Sequence, residues 1–415
     1  MRSIRLSEAA RIYSGNSINE RVKAQNYMGL NEGTPYIATK DISYGFLVNY
    51  ENGVKIPHSK SVEFKLAKKG SVLICAEGGS AGRKMAIIDR DVFFVNKLFC
   101  FECDAQLNSR YLFYYLQTSI FQDLFKNSIT GIIGGVSLEK VRNLPIILPL
   151  LEKQRDIVEK LDKAFAEIDL LERNLELSEE NANQLLQSIL SSAFTPAVEG
   201  NFSANQEVAM TQSFRESTIV KIGEVVDLFN GSTPLKTNKN FWVNGDVPWF
   251  TVDDLRKQGK YITHTEKFIT QKALKESSIS LVPENAVLLC CTASVGAIAI
   301  NRIKLTTNQQ FNALVVKDSR QLLVEYLYYW FLANMDTLKS LGRATTIDYV
   351  SMSKLRDMTI ELPTLEKQKE IVDKLDSAFA QIELLKAQIR TKKDFAVTLR
   401  QSLLSSAFSQ ENAGA

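Results

Sequence analysis

Two stretches of the chain space their apolar residues alternately by four and by three. The first series is Ile157, Leu161, Ala164, Ile168, Leu171, Leu175, Ser178, Ala182, Leu185 and Ile189. The second is Ile371, Leu375, Ala378, Ile382, Leu385, Ile389, Lys392, Ala396, Leu399 and Leu403. Such a heptad seam predicts a long helix that packs along one stripe. Both seams weaken at matching places, Ser178–Ala182 and Lys392–Ala396. The stretches are copies of one another. LPLLEKQRDIVEKLDKAFAEIDLL, running to QSILSSAF, spans Leu148 to Phe194. It returns as LPTLEKQKEIVDKLDSAFAQIELL, ending QSLLSSAF, from Leu362 to Phe408, at a constant offset of 214 residues and without a gap. Roughly half of the positions are identical, which is internal duplication. Leu151 to Phe194 as one helix is about 66 Å long at ~1.5 Å per residue. An amphipathic helix of that length must bury its stripe, and the other copy is the matching partner. With a globular part leading into each helix, antiparallel packing satisfies both copies and relates the halves by a pseudo-two-fold axis.

The segments ahead of the helices are duplicated as well, more divergently. IRLSEAARIYSG and VKIGEVVDLFNG each predict a short helix stopped by Gly15 or Gly231. TPYIATKDI then corresponds to VPWFTVDDL. GSVLICAEGGSAGR and NAVLLCCTASVGAIAI predict a buried strand entering a tight turn near Gly82 and Gly296. FFVNKLFCFEC corresponds to TTNQQFNALVV. RYLFYYLQ and EYLYYWFL carry aromatics at helical spacing, which reads as core. SITGIIGGVS and LGRATTIDYVS are loops before each long helix. The expected fold class is α+β: two globular α/β domains (1–147 and 218–361) and two long α-helices (148–194 and 362–408) packed as an antiparallel coiled coil. A linker at 195–217, rich in Pro, Gly, Ser, Asn and Gln, and a tail at 409–415 complete the chain.

Composition narrows the function classes. Charged residues make up 23% and hydrophobic ones 45%, as in ordinary globular domains. No apolar run approaches the ~20 residues of a membrane helix, and the N-terminus lacks a signal-peptide core, so a cytoplasmic location with no membrane partner is expected. The net charge of +3 is unevenly spread: residues 1–143 carry +6, 214–357 carry +4, and the first helical stretch, 144–194, carries −5. Positive charge therefore lies in the globular halves, where contact with DNA would need it. Five cysteines lack a framework spacing and suit a reducing compartment. Cys100-x-x-Cys103 sits on a buried strand, and Cys290 and Cys291 would face opposite sides of another, so core thiols are expected in place of a metal site. The two histidines, His58 and His264, lie far apart and lack ligand spacing. No phosphate-binding loop is present, no Pro-Pro dipeptide of an amino-methyltransferase pocket occurs, and Gly78, Gly79 and Gly82 match no dinucleotide fingerprint. Asp253 and Asp254 near Lys257 and Lys260 read as loop caps in preference to a nuclease site.

The chain resembles the specificity (S) subunit of type I restriction–modification systems over essentially its whole length. ILPLLEKQRDIVEKLD and IELPTLEKQKEIVDKLD look like that family's entry to each conserved helix. KIGEVVDLFNGSTP, VPWFTVDDL and TNQQFNAL are similar to its target-recognition-domain pattern. The first domain departs from it, with NSIN after Gly15 and FVNKLF in place of TNQQFN. The resemblance implies a non-catalytic subunit with two target recognition domains, each reading one half of a split site on double-stranded DNA. It implies that the helices set the spacer and dock two methyltransferase (M) subunits, with room for restriction (R) subunits. No cofactor is expected in this chain; S-adenosylmethionine, ATP and magnesium would belong to the partners.

Such domains must put donors and acceptors into the major groove and basic groups on phosphates, and loops are the natural surface for both. The DNA-contact residues expected in the first domain are Lys40, Ser80, Arg83, Lys84, Asn96, Lys97 and Thr130. In the second they are Lys236, Lys239, Thr251, Ser294, Asn308, Gln309, Gln310, Arg343, Thr345 and Thr346. Two competing readings are a coiled-coil scaffold whose globular ends bind proteins, and an enzyme with a nuclease or methyltransferase activity that no motif announces.

Overall fold

The computed structural model describes residues 2–130, 134–194, 217–292, 296–342 and 350–409. It divides into two units, one of residues 1–176 with 390–415, the other of residues 177–389. Each holds one domain, the beginning of one long helix and the end of the other. Nearly all of the linker expected at 195–217 and of the tail at 409–415 lies outside the described residues; Ser217 and Ser409 are described.

In the first unit the elements are β1 (Arg2–Arg5), β2 (Ala10–Ser14), α1 (Glu20–Asn26), β3 (Thr34–Ile37), β4 (Lys55–Ile56), β5 (Leu66–Ala67), β6 (Val72–Cys75), β7 (Met85–Ile87), β8 (Val92–Phe94), β9 (Leu98–Cys103), α2 (Ser109–Gln117), α3 (Ser119–Asn127), α4 (Leu138–Arg142), β10 (Pro145–Leu148) and the start of α5 (Leu151–Phe194). Strands β2-β9-β6-β7 form an antiparallel sheet, and β4-β3-β8-β5 form a second sheet in which β3 and β8 run parallel. Side chains alternate across a strand, and here both faces of the first sheet are covered. Val72, Ile74, Phe99 and Phe101 enter the core shared with α2, α3 and α5. Leu73, Cys75, Leu98 and Cys100 enter a separate cluster on the other face. Burial on both sides is why VLIC and LFCF read as unbroken apolar runs. The domain closes where β1 pairs antiparallel with β10, Arg2 opposite Leu148.

The second unit repeats this plan with β11 (Thr218–Lys221), α6 (Ile222–Val225), β12 (Val226–Asn230), β13 (Val247–Phe250), α7 (Val252–Gln258), β14 (Tyr261–Ile262), β15 (Lys267–Ile269), α8 (Gln271–Glu276), β16 (Ala286–Cys290), β17 (Ile298–Asn301), β18 (Thr306–Thr307), β19 (Phe311–Val316), α9 (Val324–Ala333), α10 (Met335–Gly342), α11 (Met352–Asp357), β20 (Thr359–Leu362) and the start of α12 (Leu365–Ser409). The sheet order is β12-β19-β16-β17-β14, beside a three-stranded sheet β15-β13-β18. Cys290 and Cys291 enter opposite cores, as their adjacency requires. The aromatic helices α2 and α9 are core: Tyr111, Tyr115, Tyr326, Tyr329 and Phe331 are buried.

Two expectations are corrected. IRLSEAARIYSG is not a helix but strand, a single 3-10 turn and strand; VKIGEVVDLFNG is strand, one helical turn and strand. Pairing with β9 and β10, or β19 and β20, overrides local helical preference. Gly15 and Gly231 accordingly stop no helix. A Cβ at Gly15 would lie 1.9 Å from the Phe94 carbonyl oxygen, and one at Gly231 2.0 Å from that of Asn308, so each is a point of close backbone approach.

The second correction concerns the helix seams. Leu161, Ile168, Leu175 and Ala182 are buried, as are Leu375, Ile382, Ile389 and Ala396. Ile157 and Ile371 are buried against their own domains, and Leu399 is half-buried. Leu171, Leu185 and Leu385, however, face solvent. The interleaving positions fall one residue later than expected, at Phe165, Glu172, Glu179 and Leu186 and at Phe379, Lys386, Lys393 and Arg400. This column is partly charged, acidic in α5 and basic in α12, so a rule that follows apolar residues misses it. In the first unit Arg400 pairs with Asp169, lies 3.9 Å from Glu172 and stacks on Phe165 at 4.6 Å. Phe408 packs on Tyr111 and Tyr115. In the second, Leu190 and Phe194 join the core beside Ile371, Val372 and Leu375. In each unit the start of one helix lies with the end of the other, which is antiparallel packing.

Each helix is also clamped to its own domain. The Asp162 carboxylate accepts from the Tyr114 hydroxyl and, at 2.6 Å, from Arg110. The Asp376 carboxylate accepts from the Tyr329 hydroxyl and from Lys260. Burial, and then the Asp162 carboxylate, push the Tyr114 hydroxyl up to about 12. Replacing Asp162 or Asp376 by Asn should cost about 1–2 kcal/mol, a charge-assisted bond discounted for partial exposure. Lys260 is less exposed than Arg110, 18% against 57%, so the Asp376 variant should lose more. Denaturant midpoints measure this, and unchanged midpoints in both variants would remove the clamps.

Candidate nucleic-acid interface

In the first domain three loops meet at one end of the sheet. They are the turn from Ala76 to Lys84 after β6, the turn between β8 and β9, and the residues Thr130 and Gly134 to Val136 ahead of α4. Backbone bonds join them: the Ala76 N–H donates to the Lys97 carbonyl at 2.9 Å, Val136 to Ala76 at 3.0 Å and Gly78 to Gly134 at 2.7 Å. Thr130 and Gly135 exchange bonds of 2.9 and 3.2 Å. Ser80, Arg83, Lys84, Asn96, Lys97 and Thr130 are thereby gathered on one loop cluster. Lys40 joins them, because Lys84 Nζ donates to the neighbouring Thr39 carbonyl at 3.3 Å. Lys40, Arg83, Asn96, Lys97 and Thr130 are exposed, while Ser80 and Lys84 are half-buried. Arg83 and Lys84 both lie 5.1 Å from the centre of the Tyr44 ring, a cationic shelf with no ion pair within 4 Å among the described residues. Tyr44 was no sequence candidate; its cue, an aromatic beside two cations, exists only after folding.

Two of these bonds have counterparts in the second domain. Cys291 donates to the Gln310 carbonyl at 2.8 Å and Val350 to Cys291 at 3.0 Å. Ser232 donates to Thr307 at 2.9 Å, as Asn16 does to Phe94 in the first domain. Gln309 is exposed and its side chain meets Thr233, which brings the segment after Gly231, with exposed Lys236 and Lys239, to the β18–β19 turn. Trp249 and Trp242 fix that segment by donating to the carbonyls of Ser232 at 3.1 Å and Leu235 at 3.3 Å. Gln310 is half-buried.

Two candidates are buried among their partners. Thr251 is buried and its backbone and hydroxyl both donate to Asp254, at 2.8 and 3.0 Å, as the start of α7. Asn308 is buried; its side chain accepts from the Gln310 N–H and donates to the Gln310 side chain, both at 3.0 Å. Ser294, Arg343, Thr345 and Thr346 lie outside the described residues. Of the two aspartates expected to cap loops, Asp254 does so, accepting also from the Glu266 N–H at 2.8 Å, whereas Asp253 is exposed and lies 3.4 Å from Arg256; in the first domain Asp41 accepts from the Ala38 N–H and from Asn52, both at 2.8 Å.

The described residues include all five cysteines and both histidines. No group of three His, Cys, Asp or Glu is placed to hold a metal ion there. His58 and His264 are exposed and separate. Burial pushes the thiols of Cys100 and Cys103 up to about 11 and that of Cys291 up to about 12, far from a nucleophilic thiolate at neutral pH. No helix among the described residues is long and apolar enough to cross a membrane.

Residues 2–179 and 215–392 each match the model of the type I restriction modification DNA specificity domain. The specificity subunit of the type I restriction enzyme MjaIX of Methanocaldococcus jannaschii is 34% identical over 184 residues, 44% of this chain and 42% of that protein. The EcoprrI specificity subunit of Escherichia coli is 31% identical over 164 residues, 37% of this chain and 40% of that protein. The chain thus spans about two fifths of the length of these relatives. The EcoBI specificity subunit of Escherichia coli aligns further, at 20% identity over 94% of this chain and 82% of its own. Among solved structures, a chain described under complex assembly and conformational transition of the type I R-M system superposes with a TM-score of 0.74, at 18% identity and covering 98% of this chain and 97% of that one. The HsdS subunit from Thermoanaerobacter tengcongensis does so with 0.58, at 19% identity, covering 98% and 96%. At these identities the likeness is one of fold.

Proposed function

The chain belongs to the family of type I restriction modification DNA specificity domains, and we propose that it is the sequence-reading, non-catalytic subunit of a type I restriction–modification complex. Each domain reads one half of a bipartite site on double-stranded DNA. The observation that carries this is the loop cluster: corresponding backbone bonds frame it in both domains, yet it presents Arg83, Lys84, Asn96 and Lys97 in one and Lys236, Lys239, Gln309 and Gln310 in the other. One frame with different donors is what two readers of different half-sites need. Lysines serve phosphates, while Arg, Asn and Gln have the fork geometry for base edges.

The long helices set the spacer between half-sites and dock two methyltransferase (M) subunits, to which restriction (R) subunits add. S-adenosylmethionine, ATP and magnesium act in those partners, in keeping with inert thiols and separated histidines here. The deciding experiment compares the methylomes of cells with and without this gene. A bipartite methylated motif should vanish with it; an unchanged methylome overturns the reading. Deleting one heptad from both helices should alter the spacer, or abolish assembly, with half-sites intact. A motif unchanged in spacer as well would sink the role of the helices as a ruler. If the chain with its methyltransferase partner shows no sequence-selective DNA binding at any salt, the scaffold alternative takes its place.

A further inference from the structure

We infer that Glu77 is a base-reading residue, accepting a hydrogen bond from the exocyclic amino group of one cytosine or adenine in the half-site of the first domain. This rests on the reading that the loop cluster faces DNA. Glu77 follows Ala76, whose backbone holds the other two loops, so it stands in the middle of the cluster. Its side-chain stem crosses Gly135: a Cβ there would lie 3.2 Å from Glu77 Cγ, so the glycine makes the space through which the carboxylate projects. The side chain is 42% exposed, and its carboxylate forms a long ion pair with Lys97, at 3.8 Å, beyond hydrogen-bonding distance. Among the described residues it accepts no hydrogen bond.

A carboxylate that accepts no hydrogen bond and meets Lys97 only at ion-pair distance weakens a cluster that merely follows the phosphates, which would repel it. Against base edges it has one use. A carboxylate only accepts, so it needs a donor, and in the major groove donors are the N4 amino group of cytosine and the N6 amino group of adenine. The phosphates would be held by the lysines of the same cluster. The matching position in the second domain, next to Cys291, is Thr292. The acid is therefore a property of the first reader alone.

The test uses the full chain expressed with its methyltransferase partner, with methylome sequencing as readout. Glu77→Ala should relax one base pair of one half-site, lowering its preference roughly tenfold or more, with the other half-site and the spacer unchanged. Glu77→Gln keeps the volume and separates the two bases. Glutamine pairs with adenine through both of its ends, so a C·G position should drift toward A·T, whereas an A·T position should stay. A motif unchanged in both variants overturns the inference. So does uniform tightening with a steeper salt dependence, the result expected if Glu77 only neutralises Lys97. Loss of methylation in Glu77→Ala with an unaltered motif in Glu77→Gln marks a structural residue and also overturns it. No bipartite motif from the unaltered chain would instead overturn the proposed function itself.

Discussion

Exchange of residues 1–143 for the corresponding domain of another family member should change one half of the methylated motif and leave the other half and the spacer as they were. The fold makes the exchange feasible. The segment ends before β10, so α5, its LEKQ entry and all of the second domain stay in place. The new junction depends on β1 pairing with β10, four residues against four, through main-chain bonds that any β-compatible sequence can form. The effect should be large, because each wrong base pair costs about 1–3 kcal/mol and a half-site contains several. Methylome sequencing reads the outcome. If both halves changed, or neither did, the two domains would not be separate readers.

Gln154→Leu and Gln368→Leu should each destabilise the chain by about 3 kcal/mol or more. Both glutamines are fully buried at the start of a long helix. Gln154 donates to the carbonyls of Gln106 at 2.8 Å and Pro149 at 2.9 Å, and accepts from the Asn108 N–H at 2.8 Å. Gln368 does the same with Gln321 at 2.8 Å, Pro363 at 3.0 Å and Leu323 at 2.9 Å. One amide thus closes three backbone groups at the corner where aromatic helix, strand and long helix meet. Leucine nearly conserves the volume, so the loss reports unsatisfied polar groups and not a cavity. Denaturant unfolding with each variant measures it. A loss below about 1 kcal/mol would mean that water replaces the amide.

Much of this was legible before folding. The duplication, the two long helices, the buried strands leading to turns near Gly82 and Gly296, and the aromatic cores follow from periodicity, which reports burial directly. The turn bonds are present, Gly82 to Cys75 at 2.8 Å and Gly296 to Cys290 at 3.3 Å. The first segment of each domain was misread, because EAARI and GEVVD have a helical composition but meet strands more than 80 residues away. The long helices show the limit of a rule that follows apolar residues. Their apolar column repeats every seven residues, but the charged column of Glu172, Glu179, Lys386, Lys393 and Arg400 carries no hydrophobic signal.

The site divides in the same way. Loop residues with groove-reading chemistry could be selected by type, and the fold does bring the first domain's seven together. Type alone could not separate Thr251 and Asn308, which hold turns, from Gln309, which faces outward. Nor could it single out Glu77 or Tyr44.

The repeat, the helix pair, the basic domains and the family are carried by local pattern and composition, which a chain has before it folds. Only the tertiary structure decided which side of each helix is buried, which polar residues are committed to backbone partners, and where three loops converge. Those are properties of residues distant in sequence, and a hydrogen bond between two such groups leaves no periodic trace in either.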